Sequence, residues 1–73
     1  MPNPAPPSPW RAALGSRVRE LRIERDWTQE ALAEHADIHT TYVSGIERGR
    51  RNVSLDILHR VATALGVEIR ELF

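Results

Sequence analysis

The sequence predicts an all-α fold of short, separately capped helices, with two of them joined by a tight turn at its centre. Three observations carry this. Apolar residues recur at helical spacing near both ends, as Trp10, Leu14, Val18 and Leu21, and as Leu55, Leu58, Val61, Ala62 and Leu65. The predicted helices start behind Ser8, Thr28 and Ser54, whose side-chain oxygens can accept from the free N–H groups of a first turn. All five prolines lie between Met1 and Pro9.

Residues 1–8 are expected to form a disordered Pro-rich arm, since such a segment favours extended conformations and cannot pack a core. A single domain is expected over 9–73. Ser8-Pro9 pairs a serine N-cap with proline at the first helical position. Helix 1 then runs to about Arg25, with Trp10, Leu14, Val18 and Leu21 inward and Arg11, Arg17, Arg19 and Glu24 mostly wet. Asp26 follows, at a position that often takes positive φ and prefers glycine.

Thr28 caps helix 2, with Gln29 and Glu30 in its first turn and Leu32, Ala33 and Ala36 inward. Trp27 can pack on Ala31 or Leu32 as a hydrophobic staple. Ala36-Asp37-Ile38-His39 is the tight turn, and helix 3 runs from about Thr40 to Arg48. At 100° per residue, Val43 and Ile46 lie inward, with Tyr42 and Glu47 on the flanks. Thr40, Thr41, Ser44, Gly45 and Arg48 gather outside, a face with no large apolar group and no acid. Gly49 ends this helix, Arg50-Arg51-Asn52 forms a basic loop, and Gly66 terminates helix 4. Val67 to Phe73 is a final turn or helix in which Val67, Ile69, Leu72 and Phe73 are apolar, more than capping requires.

Seventy-three residues bury a modest core, so stability is marginal and an oligomer would help. Cysteine is absent, which excludes disulfides and thiolate metal sites and suits a cytoplasmic location. No apolar run approaches the ~20 residues that span a bilayer. The N-terminus has no secretory signal, so no membrane partner is expected. Formal net charge is zero, yet the charge is segregated. Residues 26–37 hold four acids and no base, whereas 38–51 hold three arginines against Glu47.

Two constellations point to function. Arg22, on the edge of the helix 1 stripe, and Glu47, beside Ile46, can form an inward ion pair that fixes helix 3 against helix 1. By periodicity Arg25 competes with Arg22 for that role. The second is the outer face of helix 3, thin enough to enter a groove of double-stranded DNA. Thr40, Thr41 and Ser44 would meet base edges there, since Thr and Ser hydroxyls donate or accept and the Thr methyl can touch thymine. Arg48 and the Arg50-Arg51-Asn52 loop are placed for phosphate, as is Gln29 at the start of helix 2.

Enzyme chemistry has no such support. His35 and His39 are four apart, but the turn lies between them, and His59 stands alone. No phosphate loop or activated nucleophile is visible, and no metal, cofactor or small-molecule ligand is expected.

TQEALAEHADIHTTYVSGIERGRRN, followed by SLDILHRVATALGV and ELF, resembles the Cro and phage-repressor-like, or Xre, transcription regulators over about residues 11–73. The run TYVSGIERGRRNVSL with ATALGVEIRELF is most similar to the controller proteins of restriction–modification operons. The resemblance implies a five-helix lambda-repressor-like domain with its helix-turn-helix at helices 2 and 3, about 28–48. It implies a homodimeric regulator on a near-palindromic operator, active on its own promoter. It places Thr28, Gln29, Tyr42, Arg48, Arg50, Arg51 and Asn52 on the DNA backbone and Thr40, Thr41 and Ser44 on bases. It selects Arg22 and Glu47 as the structural pair, and puts the dimer contact on Val67, Ile69, Leu72 and Phe73. Asp26 and Asp37 stand where the family commonly has glycine, Val53 where it often has proline, and Thr40 where controllers often have arginine. The competing expectation is a protein-interaction module of the same fold, antitoxin-like, with weak or no DNA reading.

Overall fold

The computed structural model describes residues 8–73. Met1–Pro7, the bulk of the predicted arm, lie outside the described residues. Among the described residues four α-helices follow one another: α1 (Pro9–Glu24), α2 (Gln29–Ala36), α3 (Thr40–Glu47) and α4 (Leu55–Leu65). The last element, Ile69–Leu72, is one turn of 3-10 helix and not a fifth α-helix. Four residues allow no more than a turn, which the side chains of Glu68 and Glu71 close as a reciprocal capping box.

Side chains start three of the helices. Ser8 Oγ accepts from the Arg11 N–H at 3.3 Å, Thr28 Oγ1 from Ala31 at 3.0 Å, and Ser54 Oγ from Ile57 at 3.2 Å. His39 precedes α3 without a side-chain cap.

α3 packs on both α1 and α2, α2 also meets α4, and the terminal turn closes on α4 and α1. Leu14, Val18, Leu21, Leu32, Ala33, Ala36, Val43, Ile46, Val61, Ala62, Leu65 and Leu72 form one buried core. Two expectations from periodicity are corrected. Trp10 is 70% exposed and Leu55 69%, although both continue an inward stripe. Each sits in the first turn of its helix, beyond the reach of the core that the later turns cover.

The close approach of α1 and α3 depends on Gly15, which is buried and which the apolar pattern did not single out. A Cβ there would collide with the carbonyl oxygen of Ile46 and come within 2.7 Å of that of Glu47. Backbone cannot give way as a flexible side chain can. Gly15→Ala is expected to lower stability by about 1–3 kcal/mol, the range for overpacking, read as a reduced urea midpoint at unchanged slope.

Asp26 and Asp37 both have left-handed backbones, with φ of 55° and 57°. These are the two positions where glycine was the expected residue. At Asp37 the turn still closes, with the Ile38 N–H donating to Ala33 O at 3.0 Å and Arg60 donating to Asp37 O at 3.2 Å. The left-handed conformation costs an L-residue roughly 1–2 kcal/mol, offset in part by the greater freedom glycine has when unfolded. Asp26→Gly and Asp37→Gly should each raise the melting temperature by a few degrees, with additive effects in the double variant.

Candidate nucleic-acid interface

The base of the site is an ion pair. Arg22 Nε donates to Glu47 Oε2 at 2.7 Å and its Nη2 to Oε1 at 2.9 Å, a two-pronged contact that a planar guanidinium fits. The third direction of the fork is used too: Nη1 donates to the Trp27 carbonyl at 2.7 Å. The side chains are 11% and 2% exposed. Hydrogen bonding to Glu47 raises the Arg22 pKa above its already high ordinary value and outweighs the opposing effect of burial, so this arginine is always charged. The end of α1, the entry to α2 and the end of α3 are thereby tied at one point. Arg25, the competing candidate, instead donates to its own helix at Leu21 O, at 2.7 Å.

Gln29 belongs to this cluster. Its Nε2 donates to Glu47 Oε1 at 3.1 Å, and the residue is half-buried. The side chain expected on phosphate is engaged in holding α2 to α3. Spacing did not reveal this, because Gln29 and Glu47 lie 18 residues apart. Thr28 is exposed, with its hydroxyl accepting from Ala31.

On α3, Thr41 is exposed while Thr40 and Ser44 are half-buried. Arg48, at the C-cap, is exposed, and its Nε donates back to Ser44 O at 3.4 Å. Gly49 has φ of 71°, and the Arg50 N–H donates to Gly45 O at 2.9 Å, so the chain reverses over the end of α3. This reversal places Arg50, Arg51 and Asn52, all exposed, beside the helix.

Gly45 requires a correction. The helical wheel puts it on the outer face, yet it is buried. The cover is Arg51, whose Cγ lies 2.6 Å from where a Cβ of residue 45 would stand. The guanidinium continues to Tyr42 and sits 4.8 Å from the ring centroid. The accessible part of the outer face is therefore the exposed Thr41 and Arg48 with the half-buried Thr40 and Ser44, edged by the Tyr42–Arg51 contact.

One other expected placement changes. Leu72, assigned to the dimer contact, is fully buried in the chain's own core. It lacks the exposed surface that a partner needs, and Leu72→Asp would unfold the domain before it split any dimer. Trp27 packs against the core that holds Leu32, and its ring also stacks on His35, 4.3 Å between centroids and 5° from parallel. His35 is thus an aromatic contact. Among the described residues no three His, Cys, Asp or Glu side chains are grouped to hold a metal ion. No helix among the described residues is long and apolar enough to cross a membrane.

A helix-turn-helix family model matches residues 18–72. The control protein C.BamHI of Bacillus amyloliquefaciens is 46% identical over 63 residues, covering 85% of this chain and 78% of that protein. Among solved structures, the restriction–modification controller protein C.AhdI of Aeromonas hydrophila superposes with a TM-score of 0.84 at 48% identity, covering 86% of this chain and 96% of that one. C.Esp1396I bound to a 25 base pair operator site superposes with a TM-score of 0.78 at 33% identity, over 84% of this chain and 80% of that one.

Proposed function

The chain belongs to the helix-turn-helix family of Xre-type, Cro-like transcription regulators, close to the restriction–modification controllers, and on that premise we propose that it is a homodimeric, sequence-specific regulator acting on its own operon. α2 and α3 are the helix-turn-helix pair, and the terminal 3-10 turn is the counterpart of a fifth helix. α3 enters the major groove. Thr40, Thr41 and Ser44 meet base edges, while Thr28, Arg48, Arg50 and Asn52 contact phosphate and Tyr42 lies along the backbone. Gln29 serves through its main-chain N–H and through the Glu47 contact. The protein acts in the cytoplasm, performs no catalysis, and uses no cofactor. The DNA-binding domain spans residues 9–73, behind the Ser8 cap.

The observation that carries this reading is the thin outer face of α3, polar and free of acid, held rigidly from behind by Arg22, Glu47 and Gln29. Rigid support matters because base readout requires groups held within a fraction of an ångström. The operator-bound relative shows the same chain fold on a 25 base pair site, a length that accommodates two half-sites one helical turn apart, ~34 Å. Selection from a random duplex pool tests the reading. A near-palindromic site should emerge whose binding weakens steeply with salt; a pool left without sequence preference overturns it.

For the dimer, Val67 and Ile69 are half-buried and Phe73 is 62% exposed, so these three carry the contact that Leu72 cannot. Phe73 lines a groove with Trp10, Leu14, Val53 and Leu58 that Arg11, Arg51 and Asn52 border, while Val67 and Ile69 line a separate one with Ala62 and Thr63. Phe73→Ala is expected to give a monomer at micromolar concentration while helicity is kept. An unchanged sedimentation mass would remove Phe73 from the interface.

A further inference from the structure

The basic loop after α3 contains two kinds of arginine. Arg50 is held only through its backbone, whereas the side chain of Arg51 runs back across Gly45 and ends over the Tyr42 ring. Gly45 and Tyr42 are three residues apart and so adjacent on one helical face. The stem of Arg51 fits only because residue 45 has no Cβ: one would stand 2.6 Å from Cγ, 3.0 Å from Nε and 3.3 Å from Cδ. Gly49, left-handed at φ 71°, supplies the chain reversal that aims Arg51 back along the helix.

We infer that Arg51 is a positioning residue for sequence discrimination: it sets the Tyr42 ring at the edge of the reading face and is not a phosphate anchor. The inference rests on the DNA-binding reading above. A guanidinium stacked on an aromatic face offers a planar contact that an ammonium does not reproduce. In the DNA-binding reading Tyr42 lies along the DNA backbone at the edge of α3, so a ring free to change rotamer alters how the helix seats in the groove and with it how close Thr41 and Ser44 come to the bases. The guanidinium stays with α3, and the charge–ring contact is present before any DNA arrives.

Three variants separate positioning from charge. Arg51→Ala removes both. Arg51→Lys keeps the charge and loses the plane. Gly45→Ala keeps every charge and both stacking partners, but its Cβ displaces the arginine stem, which can swing into solvent without disturbing the backbone. The first readout needs no DNA. In NMR spectra of the free full chain, the Arg51 δ-methylene protons should be ring-current shifted upfield, and should move towards random-coil positions in Tyr42→Leu and in Gly45→Ala. Absence of that shift in the wild type overturns the inference and leaves the DNA-binding reading untouched.

The second readout is binding to the selected site and to a shuffled duplex over a salt series. Arg51→Ala, Arg51→Lys and Gly45→Ala should each reduce the ratio of the two affinities by roughly three- to tenfold, the scale of one cation–π contact, with the salt slope unchanged. A phosphate anchor gives the opposite pattern. Arg51→Ala then lowers the slope by about 1.8 per dimer, at ~0.9 per phosphate, Arg51→Lys restores it, and Gly45→Ala matches the wild type; that outcome overturns the inference.

Discussion

Replacing Glu47 by alanine is expected to lower stability by ~3–5 kcal/mol, the cost of leaving one member of a buried pair uncompensated. The stranded group is Arg22, whose side chain is 11% exposed and which keeps only the Trp27 carbonyl as acceptor. Gln29 loses its partner as well. A domain of this size has a total stability of only about 4–11 kcal/mol. The melting temperature should therefore fall by at least 12 °C or so, at roughly 4–8 °C per kcal/mol. Glu47→Gln should cost less, because its amide oxygen still accepts from the guanidinium. The decisive comparison is Arg22→Met with Glu47→Leu. Replacing both charges by apolar groups of similar volume removes the stranded ion, and the double variant should be more stable than Glu47→Ala alone. Thermal unfolding followed by circular dichroism measures all three. A double variant no better than the single would mean that the pair acts through packing and not through charge.

The second large effect concerns binding without loss of fold. Arg48→Ala combined with Arg50→Ala should abolish retention of the operator at physiological salt while the melting temperature stays within a few degrees of the wild type. Both side chains are exposed; Arg48 makes one long hydrogen bond to its own helix, at 3.4 Å, and Arg50 is tied through its main chain. Exposed groups of this kind contribute little to stability. In a dimer the two substitutions remove up to four phosphate contacts, so the salt slope should fall by about 3.6. Filter binding across a salt series reads the slope, and circular dichroism verifies the fold. Undiminished binding would place the phosphate contacts elsewhere on the surface.

The elements were legible from caps and stops. Ser8, Thr28 and Ser54 stand at three helix starts, and Gly49 and Gly66 take the left-handed backbone that ends α3 and α4. The left-handed turns at Asp26 and Asp37 were legible too, since a short polar side chain is the common substitute for glycine there. The Arg22–Glu47 pair could be narrowed to two arginines by periodicity, and the family pattern chose between them. Helical phase misjudged what depends on tertiary cover. Trp10 and Leu55 are in phase with the core but outrun it, and Leu72 is core because the terminal turn folds onto α4 and α1. Gly45 is out of phase and is buried by a side chain from beyond the helix. Gly15 is silent in an apolar pattern, since what it supplies is the absence of a side chain opposite the α3 backbone. Contacts such as Gln29 with Glu47 and Arg51 with Tyr42 join residues that no local spacing links.

The placement of α3 in the major groove is open to one direct measurement. Dimethyl sulfate methylates guanine at N7, in the major groove, and adenine at N3, in the minor groove, so interference by each modification reports which groove is occupied. On the selected operator, guanine N7 methylation should block binding in two stretches centred about one helical turn apart. Adenine N3 methylation within those stretches should have little effect. Interference confined to adenine N3, or absent from both grooves at a site the protein still prefers, would contradict the reading by Thr40, Thr41 and Ser44.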